Sequence, residues 1–99
     1  MAAKLILTPE AQQDLDDAYA WYEERRRGLG DDFASSLDAT VEQILRFPEM
    51  YQTVHQLYRR AVVKRFPYAI FYELVGDTVT IYGVFHTSRD PQKWRVRLP

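Results

Sequence analysis

No cysteine occurs among the 99 residues, which excludes a disulfide framework and a thiolate zinc site and fits a reducing cytoplasm. No apolar run approaches the roughly 18 residues of a membrane span, and no basic-then-apolar leader is expected at the start. There are only four glycines and five prolines, scattered, with no repeat, low-complexity tract or linker. Hydrophobic residues at 46% and charged residues at 27% are ordinary for a globular chain and argue against disorder. A chain of this length removes at most about two-thirds of its unfolded surface from water, so residues 1–99 are expected to form a single domain around one core.

Acids are missing from one long stretch, Tyr51 to Tyr72. The net charge of -1 hides this asymmetry: residues 1–50 hold eleven acids against five bases, and residues 51–99 hold three acids against eight bases. The surface field is therefore expected to be bipolar, with the second half suited to an anionic partner.

The local patterns define an order of elements. Ala3-Lys4-Leu5-Ile6-Leu7 reads as an opening strand, and Thr8-Pro9-Glu10 as a helix start, with a capping hydroxyl, a first-turn proline and an acid at the positive dipole end. Ala11, Leu15, Ala18, Tyr19 and Tyr22 form one apolar stripe. Arg25, Arg26 and Arg27 close that helix, and Gly28 is expected to be left-handed after it. A second helix, capped by Asp31 or Asp32, carries Phe33, Leu37, Val41, Ile44 and Leu45 at helical spacing and ends at Pro48. The short connection makes the two helices a hairpin.

Beyond Tyr51 the period changes to two. Strands are expected over Tyr58–Arg65, Tyr68–Val75 and Thr78–His86, the first interrupted by Phe66-Pro67 and the last two joined by a Gly76-Asp77 turn. Gly83 breaks the alternation between Ile81 and Val84, the sign of a bulge that re-aims Phe85 to Arg89. The fold class is a two-layer α+β domain of order β-α-α-β-β-β, the helix hairpin packed on one face of a twisted, mainly antiparallel sheet. The other face is either open, and then a partner surface, or covered by something else.

With these elements in place the chain resembles the RelE/ParE superfamily, the toxins of bacterial type II toxin–antitoxin systems. The resemblance spans nearly the whole length. It rests on the opening strand, Thr8-Pro9 with Ala11 and Leu15, the helix hairpin, Tyr68-Ala69-Ile70-Phe71-Tyr72, and the closing Val84-Phe85-His86-Thr87-Ser88-Arg89-Asp90-Pro91 with Trp94. It implies a cytoplasmic toxin of the plasmid-stabilisation, growth-arrest kind, complexed with a cognate antitoxin and without cofactor, metal or membrane. Its two best-known activities differ. The ParE-like branch poisons DNA gyrase by binding and has no catalytic residues. The RelE-like branch is a metal-independent, ribosome-dependent messenger-RNA endonuclease, and if it applies, Lys64, Arg65, His86 and Arg89 are the candidate catalytic residues. The ParE-like reading is preferred here. The strand arginine of the nuclease branch is Ala69, its C-terminal tyrosine is Trp94, whose indole cannot exchange a proton, and a net charge of -1 suits a ribosome binder poorly. A non-toxic member acting only as an antitoxin-binding module is the third possibility.

Each candidate residue has a plain structural alternative. Arg59, Arg60, Lys64 and Arg65, together with Arg89 and Trp94, are the candidate target-binding residues; the first four would otherwise be a strand edge kept basic against pairing. His86 is weighed as a hydrogen-bonded strand-end residue, Arg89 and Asp90 as a turn-stabilising pair around Pro91, and Trp94 as a packing anchor. Trp21 falls off the first helix's stripe and Phe71 points away from Tyr68, Ile70 and Tyr72, so both are candidate antitoxin contacts. Glu10, Asp14 and Asp17 read as a solvated helix face, and Glu23 with Arg27 as an i, i+4 pair. His55 and His86 carry no metal motif.

Overall fold

A computed structural model describes residues 1–99, in the order β1 (Lys4–Leu7), α1 (Pro9–Arg25), α2 (Leu29–Arg46), β2 (Thr53–His55), β3 (Tyr58–Val62), β4 (Tyr68–Val75), β5 (Thr78–His86) and α3 (Pro91–Arg95). The α+β architecture is as expected: two helices lie against one face of a five-stranded sheet of order β1-β5-β4-β3-β2. Only β1 is parallel to its neighbour, with Lys4 opposite Thr78 and Leu7 opposite Ile81. Two elements, β2 and α3, are additional. No helix is long and apolar enough to cross a membrane.

The helix starts follow backbone supply and demand. Thr8 caps α1 by accepting from the Ala11 amide at 3.1 Å, with Pro9 in the first turn. The hairpin bend is made by Gly28 at φ 90°, a conformation that costs any residue with a Cβ. Neither Asp31 nor Asp32 caps α2; both lie inside its first turn. The carboxylate of Glu23, reaching across from α1, takes the Gly28 amide at 3.0 Å and the Gly30 amide at 3.0 Å. Glu23 is thus the cap of the second helix, not half of a pair with Arg27, and one side chain fixes where the two helices meet.

Ala11, Ala18, Tyr22, Phe33, Leu37 and Ile44 from the helices pack on Ala61, Ile70, Tyr72, Val79 and Ile81 from the sheet. Tyr72 is fully buried, and its hydroxyl donates to the Pro48 carbonyl at 2.6 Å. Arg59 reinforces the same loop by donating to the carbonyls of Tyr51 at 2.6 Å and Glu49 at 3.1 Å.

The opposite sheet face is covered in part by the chain's own tail, while Ile6, Val62 and Val75 on that face stay exposed. Phe71, read above as an exposed contact, is only 1% exposed. Trp94 on α3 stacks on it at 4.7 Å, and Phe85, Tyr58 and Leu98 complete the layer. Alternation says correctly which face Phe71 takes, but not that residues 91–99 fold back over it. Full burial of a phenylalanine is worth about 1.5–3 kcal/mol, sufficient reason for the tail to dock. Asp90 caps α3 by accepting from the Gln92 amide at 2.9 Å and forms no ion pair with Arg89, so that expectation is corrected as well.

The bulge falls where the sequence places it. Phe71 pairs with Gly83 and Tyr72 with Ile81, leaving Tyr82 as the extra residue. The phase of β5 slips by one. Val79 and Ile81 face the helices before the bulge and Val84 after it, while Phe85 goes to the tail side. A Cβ on Gly83 would lie 2.5 Å from the Phe85 ring, and that ring is held from elsewhere by Phe71 and Arg97.

Gly83→Ala is therefore expected to destabilise the fold by about 1–3 kcal/mol in urea unfolding, through overpacking, with part regained when Phe85→Leu is added. The tyrosines give a second expectation. Burial pushes the Tyr72 phenol up to about 12, and burial with the hydrogen bond to Glu73 pushes Tyr82 up to about 12. Below pH 10 the phenol is neutral in both folded and unfolded chains, so stability does not depend on it. Between pH 10 and pH 12 only the unfolded phenol ionises, and stability falls. Unfolding curves over that range should show the fall, and Tyr72→Phe and Tyr82→Phe should each make it shallower.

Candidate partner-binding site

β1 stops at Leu7, whereas β5 continues to His86, so the second half of β5 has a free edge on that side. Three side chains from distant parts of the chain satisfy it. The Thr8 hydroxyl donates to the Tyr82 carbonyl at 3.4 Å, and Arg97 donates to the same carbonyl at 3.3 Å. Asp14 on α1 accepts from the Val84 amide at 3.0 Å and from Arg97 at 2.8 Å. The Arg97 guanidinium also lies 4.8 Å from the Phe85 ring centroid. Asp14 was read as part of a solvated helix face; its side chain is in fact only 16% exposed and joins α1, β5 and the tail.

This arrangement builds a groove of about 170 Å³ between the second half of α1 and the end of β5, lined by Asp17, Trp21, Tyr68, Val84, His86 and Arg89 among others. The bulge is its cause. His86 follows Val84 by two and so lies on the helix side, opposite Tyr68 in register and edge-on to it at 5.3 Å. In an unbulged strand His86 would face the tail. Its Nδ1 accepts from the Ser88 amide at 3.1 Å and lies 2.7 Å from the Ser88 hydroxyl, so this nitrogen holds the turn that presents Arg89. Arg89 is exposed and forms no ion pair. Its charge is felt by Tyr68, whose phenol is raised by burial and lowered in part by the arginine.

Trp21 forms the other wall. It is 49% exposed, an edge contact with Tyr22 holds it from below, and the Arg25 guanidinium lies 3.6 Å from its ring centroid. The exposed tryptophan expected from sequence is therefore present. It lies in the same groove as Arg89, although the two were assigned to different partners.

The remaining candidates disperse. Lys64 and Arg65 line a second concavity, between α2 and the segment after β3, with Arg46. Arg59 is occupied by its loop carbonyls, Arg60 pairs in register with Phe71, and Trp94 packs on Phe71. The four candidate catalytic side chains thus divide between two concavities, Lys64 and Arg65 in one and His86 and Arg89 in the other. General acid–base chemistry needs its groups within hydrogen-bond reach of one reacting centre. No group of three or more His, Asp or Glu side chains is placed to hold a metal ion. Asp14, Glu23 and Arg97 were missed because each acts through contacts that no local spacing encodes.

The family model described as the ParE toxin of type II toxin-antitoxin system, parDE, matches residues 5–91. No curated protein matches the chain. Among solved structures, a chain from the chromosomal ParDE TA system from P. aeruginosa is similar with a TM-score of 0.63 at 18% identity, over 84% of this chain and 94% of its own. That likeness is one of fold.

Proposed function

The chain belongs to the ParE toxin family of type II toxin–antitoxin systems, and we propose that it inhibits DNA gyrase by binding and is neutralised by a cognate antitoxin at the same groove. The observation that carries this reading is the pairing of Trp21 with Arg89 across one concavity, beside Tyr68 and His86. Tryptophan, tyrosine and arginine are the side chains that dominate binding energy at protein interfaces, where a rigid aromatic and a planar cation gain most from desolvation. A groove with those groups is suited to holding a protein segment. Asp14 is already neutralised by Arg97, so the free charge at the groove mouth is set by Arg89 and Asp17.

The division of the four candidate catalytic residues between two concavities supports binding over RNA cleavage. Ala69 supports it further: at 1% exposure within the Phe71–Phe85 layer, it leaves no room for the strand arginine of the nuclease branch. Because one groove holds both the candidate antitoxin contact and the candidate target contact, an antitoxin segment seated on Trp21 would cover Arg89. Neutralisation then needs no conformational change.

The test is a gyrase supercoiling assay with purified protein, scored for lost supercoiling and for trapped cleaved DNA. Inhibition by the wild-type chain is expected, with a rise of at least about tenfold in the concentration required for Arg89→Ala at unchanged thermal stability. Trp21→Ala should weaken antitoxin binding by about 2 kcal/mol or more, as for a central aromatic anchor. Absence of inhibition from protein that still arrests growth would overturn the gyrase reading and direct the search to messenger RNA on the ribosome. An Arg89→Ala protein of full potency would overturn the site.

A further inference from the structure

A concavity of about 360 Å³ lies between α2 and the segment that follows β3. Arg46 from the last turn of α2 stands on one wall and Lys64 and Arg65 on the other, with Glu42 the only acid among the lining residues. Ser36 and Gln43 supply a hydroxyl and an amide between them, and the Thr40 hydroxyl donates to the Ser36 carbonyl at 3.0 Å. Arg46 and Lys64 form no ion pair, and Arg65 makes one long hydrogen bond, 3.4 Å to the Ser36 hydroxyl.

The backbone is bent to achieve this. In an extended strand two consecutive residues point to opposite sides, so Lys64 and Arg65 could not share a wall. Arg65 instead adopts φ 68°, in the left-handed region that residues with a Cβ avoid. Both bases then line the same groove. Backbone strain of this kind persists only where the surroundings enforce it, here the Phe66-Pro67 step and the aromatic cluster that Phe66 forms with Tyr22 and Phe33.

We propose that this groove binds the sugar–phosphate backbone of duplex DNA, with Arg46, Lys64 and Arg65 each on a phosphate. The inference deepens the gyrase reading, since the segment held would be the DNA carried by that target. Three properties select this ligand. The lining is mostly polar, with Ala39, Tyr51 and Val62 as its apolar members, so it lacks the row of apolar pockets that an amphipathic helix requires. Its one aromatic, Tyr51, is half-buried and in a T-shaped contact with Tyr72 at 6.4 Å, so it lacks the row of aromatics on which successive unpaired bases stack. The Ser36 hydroxyl and the Gln43 amide lie among the three cations and can donate to phosphate oxygens, whereas the Thr40 hydroxyl is spent on the Ser36 carbonyl.

The test is fluorescence anisotropy of a labelled 20-base-pair DNA duplex against the purified full chain, over a salt series. Three phosphate contacts predict a slope of log K against log salt of about -2.7. The double substitution Arg46→Gln with Lys64→Gln should leave a slope of about -0.9 and weaken binding by at least about tenfold near 0.1 M salt. Arg27→Glu, exposed and unpaired at the helix hairpin, changes the net charge by the same two units and should leave the slope unaltered. Equal losses in the two variants, no measurable duplex binding at low salt, or tighter binding of a glutamate-rich peptide than of the duplex would each overturn the proposal. An RNA duplex bound more tightly than DNA would also overturn it. Supercoiling measured on the same proteins separates the two readings: inhibition without duplex binding overturns this proposal alone, and duplex binding without inhibition overturns only the gyrase reading.

Discussion

The Asp14 carboxylate is the contact on which the rest of the molecule depends. It accepts the Val84 amide, which the end of β1 leaves without a strand partner, and the Arg97 guanidinium, which brings in the tail. One acid therefore joins segments 70 and 83 residues away to the first helix. A hydrogen bond to a charged group contributes about 1.5–3 kcal/mol, and a buried amide left unpaired costs about 1–3 kcal/mol. These are large fractions of the stability of a small domain. The carboxylate also requires no further partner from outside: every buried side-chain nitrogen and oxygen in the chain has a hydrogen bond.

From that node the surfaces follow. The helix hairpin covers one face of the sheet, and the tail covers the part of the other around Phe71 and Phe85. The two grooves lie where elements end out of step. β5 outruns β1, and the bulge then turns His86 to the helix side, which creates the groove of Trp21 and Arg89. The turn after β3 carries a left-handed arginine, Arg65, which lines the basic groove beside α2. The first offers aromatic and cationic side chains suited to a protein. The second offers three cations, a hydroxyl and an amide, groups that pair with phosphates. Acid depletion between Tyr51 and Tyr72 leaves the second groove's strand-side wall free of internal neutralisation.

Much of this was legible in the chain, and the parts that were not share a cause. The Thr8-Pro9 start, the Gly76-Asp77 turn and the Gly83 bulge are local, and the periods of the helices and of β4 and β5 report their own buried faces. Tyr19 is the exception: placed on the stripe of α1, it is exposed and donates its hydroxyl to Asp31. β2 has three residues and α3 five, too short for a period to emerge. Phe71 was assigned to the correct face and the wrong environment, because alternation carries no information about what comes to lie on that face. Asp14 and Glu23 sit in runs of charge that resemble any solvated helix surface. Their roles are set by a strand edge and a helix start elsewhere, which sequence spacing does not report. Of the residues that line the groove, Trp21, His86 and Arg89 stand out individually in the sequence. Their meeting in one groove required the bulge to be placed in three dimensions.

The central claim, that one carboxylate holds both the free edge of β5 and the tail, is tested most directly by native-state hydrogen exchange of individual amides. Asp14→Ala should accelerate exchange at Val84 and at Leu98 together, while Arg97→Ala should accelerate Leu98 and leave Val84 protected by the remaining Asp14 contact. Faster exchange at Val84 alone in Asp14→Ala, with Leu98 unchanged, would show that the tail is held without Asp14 and would contradict the account.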